Sequence, residues 1–303
     1  MKKSKIIVPA LGILVLSTAA SITGTVAWFS VNNSVSVDGM AVTTQVSGNL
    51  QIAKVNLEAN YGSKATMGTT ATLLEPTSTV NGLNYFYTTD AKADGSKEHA
   101  TTGEGAIAYK AYTNSTEGNT TFNTDYKTTG AVGYIDYAFY LKAVNPSDSE
   151  TDEIRMTKCN LLYNGHTITE KAWRVAVFSQ TATKATEQTA ALASGNLKTI
   201  LTPASAAYFN NTAVSSTTAK AAVDSKIDDA AIVLTSIDNS AAFYCKVTIR
   251  VWLEGEDTTC NNETYAKLTE NWTLDLDFQL VNSDPAADPA PAAAVTGIGS
   301  VEA

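Results

Sequence analysis

Apolar and polar residues alternate with a period of two through much of this chain. In residues 29–38, Phe29, Val31, Val35 and Val37 share one parity, interrupted by Asn33; Ser30, Asn32, Ser34, Ser36 and Asp38 share the other. One apolar face and one wet face predict a strand. Residues 42–58 (VTTQVSGNLQIAKVNLE) read as one or two further strands with a turn near Ser47-Gly48-Asn49. The segment VGYIDYAFYLKAV, RMTKCNLLYNG after it, and AWRVAVFSQ, with Trp173, Val175 and Val177 in phase, continue the pattern. From residue 231 strands return as AAIVLTSI, FYCKVTIRVWL and WTLDLDFQLV. The last alternates through Trp272, Leu274, Leu276, Phe278 and Leu280. The joining segment EGEDTTCNNETYAKLTEN predicts that these last two strands form a hairpin with a long acidic loop.

Two stretches depart from this rhythm. Residues 59–130 are rich in Thr, Gly, Asn and Ser, with short strand-like pieces such as LNYFYTT and AIAYKAYT. Recurring Tyr and Phe mark them as an ordered, loop-rich excursion. Residues 181–230 turn alanine-rich, and TEQTAALASGNLKTIL and TTAKAAVDSKIDD predict a helical insertion broken at Gly195 and Pro203. With no βαβ rhythm, the fold class is mainly β: an antiparallel, jelly-roll-like sandwich over residues 28–281 with that insertion. The Pro/Ala-rich residues 282–303 predict a disordered tail.

The chain begins MKKSK and then runs apolar and uncharged to Ala27. A positive start, an apolar stretch and the small-residue exit Thr25-Val26-Ala27 predict a signal peptide over residues 1–27, cut to leave Trp28 first. A retained membrane helix is the competing reading. Pro9 and the lack of a basic cluster after Ala27 weigh against it. The expected location is secreted, extracellular or at the cell surface. Losing three lysines moves the net charge from −9 to about −12, which excludes nucleic acid as a natural partner.

Export permits a disulfide, but three cysteines leave one over. Cys245 falls on the inward parity with Phe243, Val247, Ile249 and Val251, so it is expected in the core. A bridge between Cys159 and Cys260, both read as near strand or loop ends, is the expected pairing.

The AWFS that closes the leader, the SVDGMAVTTQVSGNLQIA that follows, and the piece Val46-Ser47-Gly48-Asn49-Leu50-Gln51-Ile52 resemble the start of the TasA/camelysin family of Gram-positive biofilm-matrix proteins. VTIRVWLEGEDTTC and the final strand are similar to secreted relatives of that family; the middle of the chain is not. The resemblance implies a jelly-roll subunit that polymerises head to tail, its N-terminal strand completing the sheet of the next copy. Such a contact uses main-chain hydrogen bonds and does not close into a ring. The donor strand would be residues 28–38, inserting Trp28, Phe29, Val31, Val35 and Val37. The partner would be the chain itself, with other matrix or cell-surface components as further candidates. The same strand can instead pair within its own domain.

Catalysis finds little footing. The two histidines, His99 in DGSKEHATT and His166 in YNGHTITE, lie in no HExxH motif and are read as loop and turn residues. No GxSxG elbow or Gly-rich phosphate loop appears. The acidic Glu254, Glu256, Asp257 and Glu263 read as a solvated loop rather than a calcium site. Trp173, Trp252 and Trp272 read as strand packing. The chain is therefore expected to be a structural protein, without catalytic residues, cofactor or metal. A monomeric surface adhesion module using loops 59–130 is the alternative, and a secreted hydrolase a third reading.

Overall fold

The computed structural model describes residues 35–37, 41–47, 49–67, 72–79, 81–88, 109–126, 129–144, 151–163, 166–167, 173–201, 232–237, 241–255 and 272–282. The leader, Trp28, Phe29, Val31, His99, Cys260 and the tail beyond residue 282 lie outside them. In chain order the strands are β1 (Val35–Val37), β2 (Ala41–Ser47), β3 (Leu50–Ala53), β4 (Lys64–Met67), β5 (Thr72–Leu74), β6 (Tyr85–Tyr87) and β7 (Lys110–Tyr112). Helix α1 (Thr116–Tyr126) follows, then β8 (Ala131–Val132), β9 (Ile135–Ala143), β10 (Asp152–Tyr163), β11 (His166–Thr167) and β12 (Trp173–Ala182). The remaining strands are β13 (Leu197–Leu201), β14 (Ile232–Ile237), β15 (Phe243–Leu253) and β16 (Trp272–Asn282).

Two sheets face each other. One has the order β13-β12-β15-β9-β3; the other runs β11-β10-β16-β2-β4, with β14 also paired to β10. All pairings in them are antiparallel except β16 with β2. Alternation decides what lies between the sheets. Phe139 and Leu141 of β9, Val175 and Val177 of β12, and Val247 and Ile249 of β15 meet Ile154, Leu276 and Phe278 of the opposite sheet. The rings of Phe139 and Phe278 lie 5.4 Å apart across the sandwich. Such dry, close-packed contacts supply most of the folding free energy. Cys245 is fully buried there, as its parity predicts.

Several expectations are corrected. FYCKVTIRVWL and WTLDLDFQLV do not form a hairpin: β15 pairs with β12 and β9, while β16 pairs with β10 and β2. Both strands carry one apolar face, and those faces oppose each other across the core rather than lying side by side. Cys159 is not at a strand end: it lies inside β10, opposite Leu276, fully buried. Glu254 is not solvated but buried, accepting a hydrogen bond from Trp252 Nε1 at 3.1 Å. His166 is the first residue of β11, paired with Tyr163, not a turn residue.

The helical insertion is overturned over residues 181–201. Residues 183–193 carry no regular structure; Ser194–Asn196 is a 3-10 turn and Leu197–Leu201 is a strand docked on β12. Ile200 and Leu201 bury on opposite faces there, which rewards a strand more than alanine propensity rewards a helix. Residues 202–230 lie outside the described set.

Among the described residues the α-helix is α1, inside the supposed loop excursion. Its sequence TEGNTTFNTDY is a poor helix former. Ser115 Oγ caps the Gly118 amide at 3.1 Å. Phe122, fully buried, packs its ring against Tyr87, Tyr112 and Tyr126 at 4.6–4.9 Å. Tertiary packing, not propensity, holds this helix.

Candidate functional site

Two places answer to the functional expectations. The first is the N-terminal strand. Its described part, β1, pairs antiparallel with β5, setting Val35 opposite Leu74 and Val37 opposite Thr72. β5 in turn runs parallel to β8, so β1 is the edge of a small three-stranded sheet that is not hydrogen-bonded into either sheet of the sandwich, although Leu74 and Val132 pack into the main core. Three residue pairs hold it.

The second place arises because the β13–β12–β15–β9–β3 sheet is covered on both faces. Its outer parity carries Ala176 and Phe178 on β12 and Trp252 on β15, and these form a second apolar core with Tyr85, Tyr87, Tyr112 and Phe122 of the excursion. Beside that core the outer face turns polar. Asp136 of β9 stands opposite Arg250 of β15. The Arg250 guanidinium donates to both Asp136 carboxylate oxygens at 2.7 Å, through Nε and Nη2. Nη1 donates to the Gly82 carbonyl at 2.9 Å. The Tyr134 ring lies over the same guanidinium, 3.8 Å from its carbon to the ring centroid. Burial works against the charge of Arg250, but the bond and the charge of Asp136 outweigh it and hold its pKa above the usual value. Gly82 is required where it stands. Its φ is +67°, and a Cβ would sit 3.2 Å from the Ala176 Cβ and 3.3 Å from the Phe178 ring.

Residues 183–193 cross this face as an arm. Gln180 Nε2 donates to the Ala190 carbonyl at 3.2 Å, and Lys246 Nζ donates to the Gln188 carbonyl at 2.6 Å. Glu187 accepts from the Tyr140 hydroxyl at 2.6 Å and from the Asn56 amide at 3.0 Å. Asn56 Nδ2 donates to the Thr183 and Thr186 carbonyls at 2.8 and 2.6 Å. Glu58, on the adjacent loop, accepts from Lys142 and from Tyr244. Between the arm and the excursion a cleft of about 530 Å³ opens, floored by Asp136, Ala138, Thr248 and Arg250 and walled by Leu83 and Leu192.

These contacts set a pH dependence. The Tyr140 hydrogen bond holds Glu187 below its ordinary pKa against an opposing effect of burial, and the Lys142 bond does the same for Glu58. A lowered folded pKa contributes stability above the unfolded value, about 4.3, and that contribution fades as pH falls through the lowered value. Below pH of about 4 the arm should therefore loosen before the sandwich does. Protection of the Asn56 and Gln188 amides against hydrogen exchange, corrected for intrinsic rates, should fall first. Equal loss of protection at β9 and β15 over the same range would contradict this.

Among the described residues no group of three or more His, Cys, Asp and Glu is placed to hold a metal ion. Burial pushes the Cys245 thiol up to about 12, despite hydrogen bonds with Ser179 and the Leu141 backbone. A thiol so placed is a poor nucleophile at neutral pH. Among the described residues no helix is long and apolar enough to cross a membrane. Sequence reading expected a strand over residues 28–38, and its described part is the strand Val35–Val37. It missed the cleft, whose floor and walls come from segments far apart in the chain and share no motif. The one available signal was an apolar residue at Ala176, Phe178 and Trp252 on the parity expected to be wet. No protein-family model matches the chain, and no curated protein matches it significantly.

Proposed function

We propose that this chain is a secreted structural subunit that assembles into extracellular fibres by exchanging its N-terminal strand. The observation that carries the reading is the placement of β1: among the described residues it is a three-residue edge strand paired with β5 and hydrogen-bonded into neither sheet of the sandwich. Asp38-Gly39-Met40 separates it from β2 in the sequence. A β1 donated by a neighbouring copy would make the same main-chain hydrogen bonds to β5 as the chain's own β1 does. Closed and exchanged forms then differ little in contact energy, and protein concentration tips the balance. The contact is head to tail, so it propagates instead of closing.

The sandwich fits a jelly roll in one respect. Successive strands change sheet: β2 to β3, β3 to β4, β9 to β10, β11 to β12, β13 to β14, β14 to β15 and β15 to β16. The resemblance of residues 28–52 to matrix proteins of the TasA/camelysin kind supports the same reading and implies a biofilm matrix or a Gram-positive surface as its setting.

The test is negative-stain electron microscopy of the mature chain beginning at Trp28. Regular filaments are expected, growing with concentration. A chain lacking residues 28–38 should keep its far-ultraviolet circular dichroism and stay dispersed. Filaments from the truncated chain, or monomers from the intact chain at high concentration, would overturn the reading and favour a monomeric adhesion module.

A further inference from the structure

We propose that the cleft between the excursion and the arm binds a neutral oligosaccharide. This goes beyond fibre assembly and does not depend on it, because no residue of β1 or β5 lines the cleft.

Size comes first. At about 530 Å³ the cleft is within the range of roughly 300–1,000 Å³ typical of small-molecule sites. Charge comes next. Arg250 is spent on Asp136 and the Gly82 carbonyl, and Lys246 is spent on the Gln188 carbonyl while facing the charge of Glu187. Two cations are thus balanced by two carboxylates. An anionic ligand would meet the Asp136 carboxylate, and the charge it could draw on at Lys246 is already faced by Glu187. A cationic ligand would compete with Arg250 for a carboxylate already held in a fork. An apolar ligand would strip water from Asp136 and Thr248 without replacing its hydrogen bonds.

What remains is hydrogen-bonding capacity without net charge. Each Asp136 oxygen takes one bond from Arg250, and an ionised carboxylate has further lone pairs. Its side chain is 35% exposed, so those lone pairs are within reach. Vicinal hydroxyls can donate to it and to the Gln180 side-chain oxygen, while the Thr248 hydroxyl can both donate and accept. The walls are of another kind: Leu83 and Leu192 present apolar surface and are anchored against the second core. A pyranose has this same division, with hydroxyls around its rim and C–H groups on its faces. The floor is built on three paired strands with its key side chains already locked, so little ordering is lost when a ligand enters.

The test uses the full mature chain and defined probes. Saturation-transfer NMR would be run with cellotriose, maltotriose, laminaritriose and tri-N-acetylchitotriose, and with trigalacturonate as the anionic comparator. At least one neutral probe is expected to bind and trigalacturonate to bind no better. Leu192→Trp fills the cleft from its wall and should abolish binding. Thr248→Val keeps the β-branched shape and removes one hydroxyl, so affinity by calorimetry should fall about threefold to tenfold. Thermal melts confirm that each variant is folded, and Thr248→Val decides the matter if Leu192→Trp does not fold. Absence of binding by every neutral probe at millimolar concentration overturns the proposal. So does preference for trigalacturonate, or affinity unchanged in the folded variants.

Discussion

Replacing Trp252 with alanine should detach the second layer from the sandwich and destabilise the protein by roughly 3–5 kcal/mol. Trp252 is fully buried on the outer parity of β15, where the Tyr85 ring meets it edge-on at 5.5 Å. Truncation removes the largest apolar side chain of the second core and leaves a cavity under the excursion. It also takes from the buried Glu254 the Nε1–H that donates to it at 3.1 Å. Domains of this kind are stable by only about 5–15 kcal/mol, so the loss is a large fraction of the whole. The main core, centred on Phe139, Val247, Leu276 and Phe278, contains no atom of Trp252. Urea denaturation should therefore show a lower midpoint, and limited proteolysis should cut within residues 81–130 before it cuts β9 or β15. Trp252→Phe, which refills most of the space, should recover most of the loss. An unchanged midpoint in Trp252→Ala would mean that the second layer contributes nothing to folding.

The same residue shows what the sequence discloses. FYCKVTIRVWL alternates, and alternation identified the inward face of β15 correctly as Cys245, Val247, Ile249 and Val251. Trp252 was expected in strand packing, and it and Phe178 are buried, but the alternation names no partner for the face that carries them. They are buried because a segment some hundred residues away folds over them, and strand period carries no information about distant cover. Short-range signals misled at α1 and at residues 186–201 for a related reason: burial of Phe122 and of Ile200 and Leu201 overrode propensity in opposite directions. The hairpin expected of the last two strands failed because two half-apolar strands can oppose across a core as readily as pair beside each other. The N-terminal strand, by contrast, was legible as far as the described residues reach, since its pattern is local. The cleft was not, because Asp136, Thr248 and Leu192 become neighbours only through the register of β9, β12 and β15 and the path of the arm.

Tying β1 to β5 within one chain should abolish fibre growth, and releasing the tie should restore it. Ser36 and Leu73 are register partners in the antiparallel pair. Opposed residues in such a pair have Cα atoms about 4.5–5.5 Å apart, which is within the span a disulfide tolerates. The double variant Ser36→Cys, Leu73→Cys would be made with Cys159→Ala and Cys260→Ser, so that neither of these sulfurs competes. Cys245 is buried and its thiolate is disfavoured, which keeps it out of the exchange. Oxidised at low concentration, the variant holds its own β1, and no copy has a strand to give or a β5 to receive one. Filaments should then be absent at concentrations where the parent forms them. Adding a reductant leaves the sequence and the fold unchanged and removes only the tie, so filaments should appear. This separates exchange from simple sheet-edge stacking, because stacking needs no release of β1 and would proceed in the oxidised chain. Equal polymerisation of the oxidised and reduced forms would rule out strand exchange between β1 and β5 even if fibres are made. Failure of both forms to polymerise, with the parent doing so, would instead assign Ser36 or Leu73 a side-chain role in the contact. Ser36→Ala and Leu73→Ala, made singly, would then show which of the two supplies it.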